Sequence, residues 1–192
     1  MIIWARQNQH AKRARVPKDY FKMSSPTSPY SVDKLIEQAR QLAADFKKMT
    51  GKPLPGVSNE IAEHDACKLL ALKLHKENSD GYDAIRVSGF GPKKIQIKAR
   101  AIFNDNYRGQ RLGQLKLDKD WDSVVLVLMD ENYQAFDIFE ATRGDILDNL
   151  NNNSNRMKRG AMSVAKFRNI ATLVWTKENG SNASAWPDKF DD

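Results

Sequence analysis

The chain has 192 residues, 41% of them hydrophobic, which is enough for one domain with an apolar core. Its 31 basic and 24 acidic residues give a formal charge of +7, an excess that favours phosphate-rich partners such as nucleic acid. The single cysteine, Cys67, excludes an internal disulfide and a cysteine-cluster zinc site, and no apolar run is long enough for a membrane span or a signal peptide, so we expect a cytoplasmic protein with no membrane partner.

Residues 1–30 are rich in basic side chains and then in serine and proline, with Asp19 as their one acid. This composition predicts a flexible basic arm. A phosphate-binding arm and an extension without function are both consistent with it. We expect a single domain over residues 31–176 and a polar tail over residues 177–192.

Two helices are predicted next. Apolar residues recur at steps of three and four from Ser31 until Gly51 and Pro53 end the helix. We expect these residues to face the core: Leu35, Ile36, Ala39, Leu42, Ala43, Phe46 and Met49. After the turn at 53–56, Ser58 is the expected N-cap of a second helix that runs to about Lys76.

A sheet of about four strands follows. Residues 82–87 and 94–102 alternate as strands and are joined by a glycine-rich connection, which predicts a hairpin. Two further strands are expected at residues 123–129, which are apolar throughout, and at residues 135–140. A short helix at 144–150 and a last helix that begins at Ser163 complete an α/β domain, a mixed sheet flanked by helices.

Four polar side chains on these elements could carry chemistry. Glu63 lies on the same helical stripe as apolar residues of the second helix, where a carboxylate is costly unless a cation or a donor answers it. Asp83 begins the first strand of the hairpin. In the second strand Gln96 and Lys98 share one face, which we expect to be polar, and hairpin pairing would bring Asp83 close to them.

Each of these residues is ordinary alone, but their order resembles the PD-(D/E)XK nuclease superfamily, which includes restriction enzymes and Holliday-junction resolvases. The resemblance covers residues 57–100 by motif and extends to about residue 175 by element order. Gln96 stands where an Asp or Glu is usual, a variant similar to the Mrr group of restriction enzymes, and no proline precedes Asp83. Glu60, one turn before Glu63, is the alternative helical acid.

The resemblance implies a restriction-endonuclease-like fold and hydrolysis of phosphodiester bonds, with DNA as the expected substrate and restriction, defence or repair as the context. It implies Mg²⁺, or Mn²⁺, held by Asp83, Gln96 and Glu63, since these ions prefer oxygen ligands. Lys98 would position the water or neutralise developing charge. The sequence leaves the oligomeric state open, with a homodimer as one possibility.

Basic residues around this group are candidates for binding a phosphate backbone, and a solvated surface is the alternative explanation. Two rival functions stay open: a nucleic-acid-binding module that has lost the metal chemistry, which Gln96 favours, and an interaction subunit of a larger complex. The candidate nucleic-acid-binding residues are Lys94, Arg100, Arg108 and Arg111 near the site, with Arg159 and Lys166 near the last helix.

Overall fold

The computed structural model describes residues 31–75, 81–88, 91–103, 109–151 and 161–182. The predicted basic arm and most of the predicted tail lie outside these residues. The described part contains four helices and one seven-stranded sheet. The helices are α1 (Val32–Thr50), α2 (Val57–Leu69), α3 (Arg143–Asn151) and α4 (Val164–Ile170). The strands are β1 (Lys73–Leu74), β2 (Ala84–Ser88), β3 (Gly91–Ala101), β4 (Ser123–Met129), β5 (Ala135–Thr142), β6 (Thr172–Thr176) and β7 (Gly180–Ser181).

The strands lie in the sheet in the order in which they occur in the chain. All neighbours are antiparallel except β3 and β4, which are parallel and are joined by the long connection at residues 102–122. The predicted class, α/β with a mixed sheet of at least four strands flanked by helices, is therefore confirmed. Among the described residues no helix has the length and apolar character needed to cross a bilayer.

Several predicted elements are confirmed, including the hairpin of β2 and β3, the strand β4 and the N-cap of α4 at Ser163. The predicted extension of the second helix to Lys76 is wrong, because Ala71 adopts a positive φ of 52° and the chain then enters β1. The expected N-cap is also displaced, from Ser58 to Gly56. The short strands β1 and β7 and the strand β6 were not predicted, since their sequences carry no alternation that marks them as strands.

The sheet separates two apolar cores. On one face, residues of α1 and α2 pack against Ile95, Ile97 and Val125. On the other face, α3, α4 and the connection at 102–122 pack against Val124 and Leu126. Because both faces are covered, every residue of β4 is buried, as its uninterrupted apolar sequence predicts.

The α1 helix buries only part of the face that its apolar pattern predicts. Ala43 is buried and Ile36 packs against the core, as predicted, but Leu35, Leu42, Phe46 and Met49 are exposed by 47%, 60%, 37% and 86%. Arg40 and Ala44, which were not predicted to face the core, are buried. The two alanines allow α2 to approach closely, and Arg40 needs buried acceptors that only this face supplies.

Arg40 ties three elements together from the buried side of α1. Its Nη2 lies 2.5 Å from Oδ1 of Asp65 on α2, and its Nη1 donates to the backbone carbonyl of Tyr133 in the turn between β4 and β5. Both charged side chains are more than 90% buried. A buried pair of this kind specifies which helix faces meet, and losing one partner costs more than the pair contributes.

We expect Asp65→Ala to lower the free energy of unfolding by about 3–5 kcal/mol, because Arg40 would remain buried with only the exposed Glu37, 3.3 Å from its Nε, as a counter-charge. Chemical denaturation measures the change. Lys68→Ala is the matched control: it removes one member of the exposed Lys68–Asp33 pair and should cost less than about 1 kcal/mol. The double variant Arg40→Met/Asp65→Ala should recover most of the loss, and failure to recover would show that packing rather than charge is responsible.

Candidate functional site

The predicted site residues lie where the antiparallel ladder of β2 and β3 ends. The last pair is Ala84 and Ile95, and β3 continues beyond it to Ala101; we call this place the fork. Asp83 directly precedes Ala84, the first residue of β2, and its carboxylate accepts a hydrogen bond of 2.7 Å from the amide of Ile97. The carboxylate thus takes the place of the next carbonyl of the ladder, so Asp83 is fixed beside the part of β3 that carries Lys98.

Glu63 reaches this fork from α2. Its carboxyl is half-buried, and desolvation, followed by repulsion from Asp83 and Glu60, raises its pKa to about 7, while Lys98 and Lys116 act in the opposite direction. Glu60 itself is exposed. Of the two acidic residues of α2, Glu63 is therefore the one that is partly buried and that interacts electrostatically with Asp83 and Lys98.

Lys98 is the cation of this group. Burial lowers its pKa, and the neighbouring positive charge of Lys116 lowers it further, while Asp83 and Glu63 oppose the shift. No residue of β2 is paired with Lys98, because the β2–β3 ladder ends at Ala84 and Ile95. The structure brings Glu63, Asp83 and Lys98 within electrostatic reach of one another.

Gln96 occupies a different environment from the predicted one. It alternates with Ile95 and Ile97 as expected, but it is only 1% exposed, so its face of β3 is not solvated at this position. Its Oε1 accepts a hydrogen bond of 3.4 Å from the amide of Lys116, which lies in the described part of the connection, residues 109–122. Its Nε2 is buried and has no hydrogen-bond partner among the described residues.

Lys116 is the residue that sequence analysis missed. It belongs to the connection between the parallel strands β3 and β4, is exposed, and acts electrostatically on both Glu63 and Lys98. No motif or periodicity singles it out. Its position follows only from the way this connection folds back across the sheet over Gln96.

The candidate nucleic-acid-binding residues differ in exposure and in the contacts that they make. Lys94 pairs with Asp120 at 2.5 Å, and Lys166 donates to the backbone carbonyl of Asn149 at 3.0 Å. Arg100 is half-buried and donates to the backbone carbonyls of Ala99 and Arg111, and desolvation lowers its pKa. Arg111 is exposed. Arg108 and Arg159 lie outside the described residues.

Three side chains near the fork carry oxygen atoms that could bind a cation. Glu63 and Asp83 provide two carboxylates, and Gln96 provides an amide oxygen. In the part of the chain that the structure covers, no cluster of three or more His, Cys, Asp or Glu residues could hold a metal ion.

Comparison with protein-family models and with curated proteins found no match to this chain.

Replacing Glu63 with Gln should stabilise the protein at alkaline pH. Because the pKa of Glu63 in the folded protein is about 7, above the value of about 4.3 for an exposed Glu, folding takes up a proton between these values and stability falls as the pH rises through this window. We expect Glu63→Gln to raise the free energy of unfolding by about 1 kcal/mol at pH ~8, after allowance for solvent screening, and to have little effect at pH ~4.

Urea denaturation at the two pH values measures this difference. The matched control is Glu60→Gln, which neutralises an exposed carboxylate one turn away and should change stability by less than about 0.5 kcal/mol at either pH. Equal effects of the two substitutions at alkaline pH would contradict the burial of Glu63.

Proposed function

We propose that this chain is a nuclease that hydrolyses phosphodiester bonds with the help of Mg²⁺ or Mn²⁺, on a restriction-endonuclease-like variant of the α/β fold. One observation carries the proposal: the partly buried Glu63 from α2 and Lys98 from β3 interact electrostatically with each other and with Asp83, which directly precedes β2. Two carboxylates held together against their repulsion lose stability, and a divalent cation would offset that cost. DNA is the proposed substrate.

The donors at the fork fit a hard divalent ion in chemistry, although not as a complete shell. Asp83 uses Oδ2 for the Ile97 amide, so Oδ1 is the atom we assign to the ion, together with the carboxylate of Glu63. Oε1 of Gln96 accepts one weak hydrogen bond from Lys116, and a carbonyl oxygen has a second lone pair. An ion there would lower the pKa of a bound water and stabilise charge on the phosphate.

The residues of the chain supply the remaining functions. The lowered pKa of Lys98 reflects a partly desolvated ammonium, which is a stronger electrostatic partner for a phosphate than one in bulk water. We assign it to the scissile phosphate and its attacking water. Lys116, exposed beside Glu63, is placed to contact the adjoining phosphate of the substrate. Below about pH 7 the carboxyl group of Glu63 is protonated and carries no charge that could help to hold a cation. We therefore expect activity to rise as the pH increases through that value.

A non-catalytic nucleic-acid-binding module is the second candidate, and Gln96 favours it. A neutral amide stands where the nucleases that this chain resembles carry a carboxylate, and it is buried, with the Lys116 amide already donating to its oxygen. Such a protein would keep Lys98 and Lys116 as phosphate contacts without hydrolysis. Binding without cleavage in either Mg²⁺ or Mn²⁺ would establish this function in place of the nuclease.

Cleavage of single-stranded and double-stranded DNA and RNA in Mg²⁺ and in Mn²⁺ tests the nuclease directly. We expect Lys98→Ala and Asp83→Asn each to lower the rate by roughly 100-fold or more, because each removes a charge that stabilises the reacting phosphate or its ion. The controls remove the same charges from exposed positions, Lys73→Ala on β1 and Asp118→Asn in the connection, and should leave the rate unchanged. Activity that survives both site variants would overturn the assignment.

Divalent ions should bind tightly only when nucleic acid is present. The two carboxylates of the fork carry at most two negative charges, Gln96 adds none, and the ammonium groups of Lys98 and Lys116 oppose a further cation. A substrate phosphate would add the missing charge and oxygen. Calorimetry should therefore detect Mg²⁺ binding to the complex with a non-cleavable oligonucleotide, and the effect should vanish in Asp83→Asn. Micromolar binding of Mg²⁺ by the free protein would contradict this expectation.

A further inference from the structure

The Arg143 side chain binds the segment of the chain that carries Lys116. Arg143 is the first residue of α3 and is partly buried. Its Nη1 donates to the carbonyls of Lys119 at 2.8 Å and Trp121 at 3.2 Å, and its Nη2 donates to the carbonyl of Leu117 at 3.0 Å. A planar guanidinium carries enough N–H groups for three acceptors. One side chain therefore binds three carbonyls of residues 116–121, which we call the Lys116 loop.

Trp121 connects the end of the Lys116 loop to its beginning. The indole ring is buried in the core that also contains residues of α3 and α4, and the Cζ of Arg143 lies 4.5 Å from the centre of the ring. The Nε1 of the ring donates to the carbonyl of Lys116 at 2.8 Å. Two neighbouring side chains thus bind the carbonyls of residues 116, 117, 119 and 121, and they fix the backbone of the loop.

The Lys116 loop packs against the chain just before Asp83. Gly81 has a φ of 93°, and a Cβ atom at this position would clash with the Cβ of Lys119. Only glycine, which has no Cβ, combines this conformation with so close an approach. The amide of Lys116 donates to Oε1 of Gln96 on β3. The loop therefore contacts both β3 and the segment that leads into β2, the two parts of the chain that form the fork.

We propose that Arg143 is a positioning residue of the candidate site, which places Lys116 for contact with a phosphate of the bound nucleic acid. The inference rests on the nucleic-acid-binding function proposed for the fork. Lys116 lowers the pKa values of Glu63 and Lys98, so its ammonium is close enough to act on both groups. Arg143 acts through the backbone of the loop, because its guanidinium is bound to the loop carbonyls.

The salt dependence of DNA binding tests this role. With a fluorescently labelled DNA duplex in EDTA, the slope of log affinity against log salt concentration changes by about 0.9 for each phosphate contact. We expect Lys116→Ala to reduce the slope by about that amount. Arg143→Lys should cause most of the same loss, because it keeps the charge but lacks the planar set of donors that binds three carbonyls. Adding Arg143→Lys to Lys116→Ala should have almost no further effect on the slope.

The matched control is Arg86→Lys. Arg86 is also partly buried, and its Nη1 and Nη2 donate to the Glu140 carboxylate on β5 at 3.0 and 2.8 Å. The substitution weakens a structural pair that involves no residue of the Lys116 loop, so it should leave the slope unchanged. Hydrogen exchange followed by mass spectrometry on the free proteins should show faster exchange at residues 116–122 in Arg143→Lys only. Circular dichroism confirms that each variant is folded.

Three results would each contradict the positioning role: a slope for Arg143→Lys equal to that of the unmodified protein, a loss that adds to that of Lys116→Ala, or unchanged exchange of the loop. The nuclease and this role can fail separately. DNA binding with the expected slopes but without cleavage would remove the nuclease and leave the role of Arg143, whereas cleavage with unchanged slopes would remove the role alone. A protein that binds neither DNA nor RNA would rule out both.

Discussion

The hydrogen bond from the Ile97 amide to the Asp83 carboxylate is the contact on which the candidate site depends. It lies where the β2–β3 ladder ends, at the pair Ala84 and Ile95, while β3 continues to Ala101. Glu63 from α2 and Lys98 from β3 interact electrostatically with Asp83 there. The Asp83 carboxylate thus has two roles: it binds a backbone amide of β3 beyond the last pair of the ladder, and it supplies one negative charge of the candidate site.

The electrostatics of the fork explain why it is a candidate site rather than part of the core. A pKa of about 7 for Glu63 means that folding has moved a carboxyl group partly out of water and next to another acid. Folded proteins tolerate such a cost at places where a ligand or a reaction recovers it. The contrast with Arg40 and Asp65 is informative, because that buried pair is internally compensated and holds α1 on α2.

The proposed nuclease site and the exposed apolar residues of α1 lie on different parts of the domain. The site lies where α2 meets the fork of β2 and β3, whereas Leu35, Leu42 and Met49 are exposed on α1. Arg40 lies on the buried face of α1, where it binds Asp65 and the Tyr133 carbonyl. Ala43 and Ala44 are buried beside it, and most of the larger apolar side chains of α1 remain outside.

Local patterns in the sequence predicted the class of fold, the hairpin and the buried strand β4, because strand alternation and helix capping are properties of short segments. The order of Glu63, Asp83 and Lys98 along these segments also singled out three of the charged residues at the fork. Tertiary structure alone decided the rest. The buried state of Gln96 and the approach of Lys116 depend on how residues 109–122 lie against the sheet. The orientation of α1 is likewise accompanied by a contact between residues 25 positions apart, from Arg40 to Asp65, which no local pattern predicts.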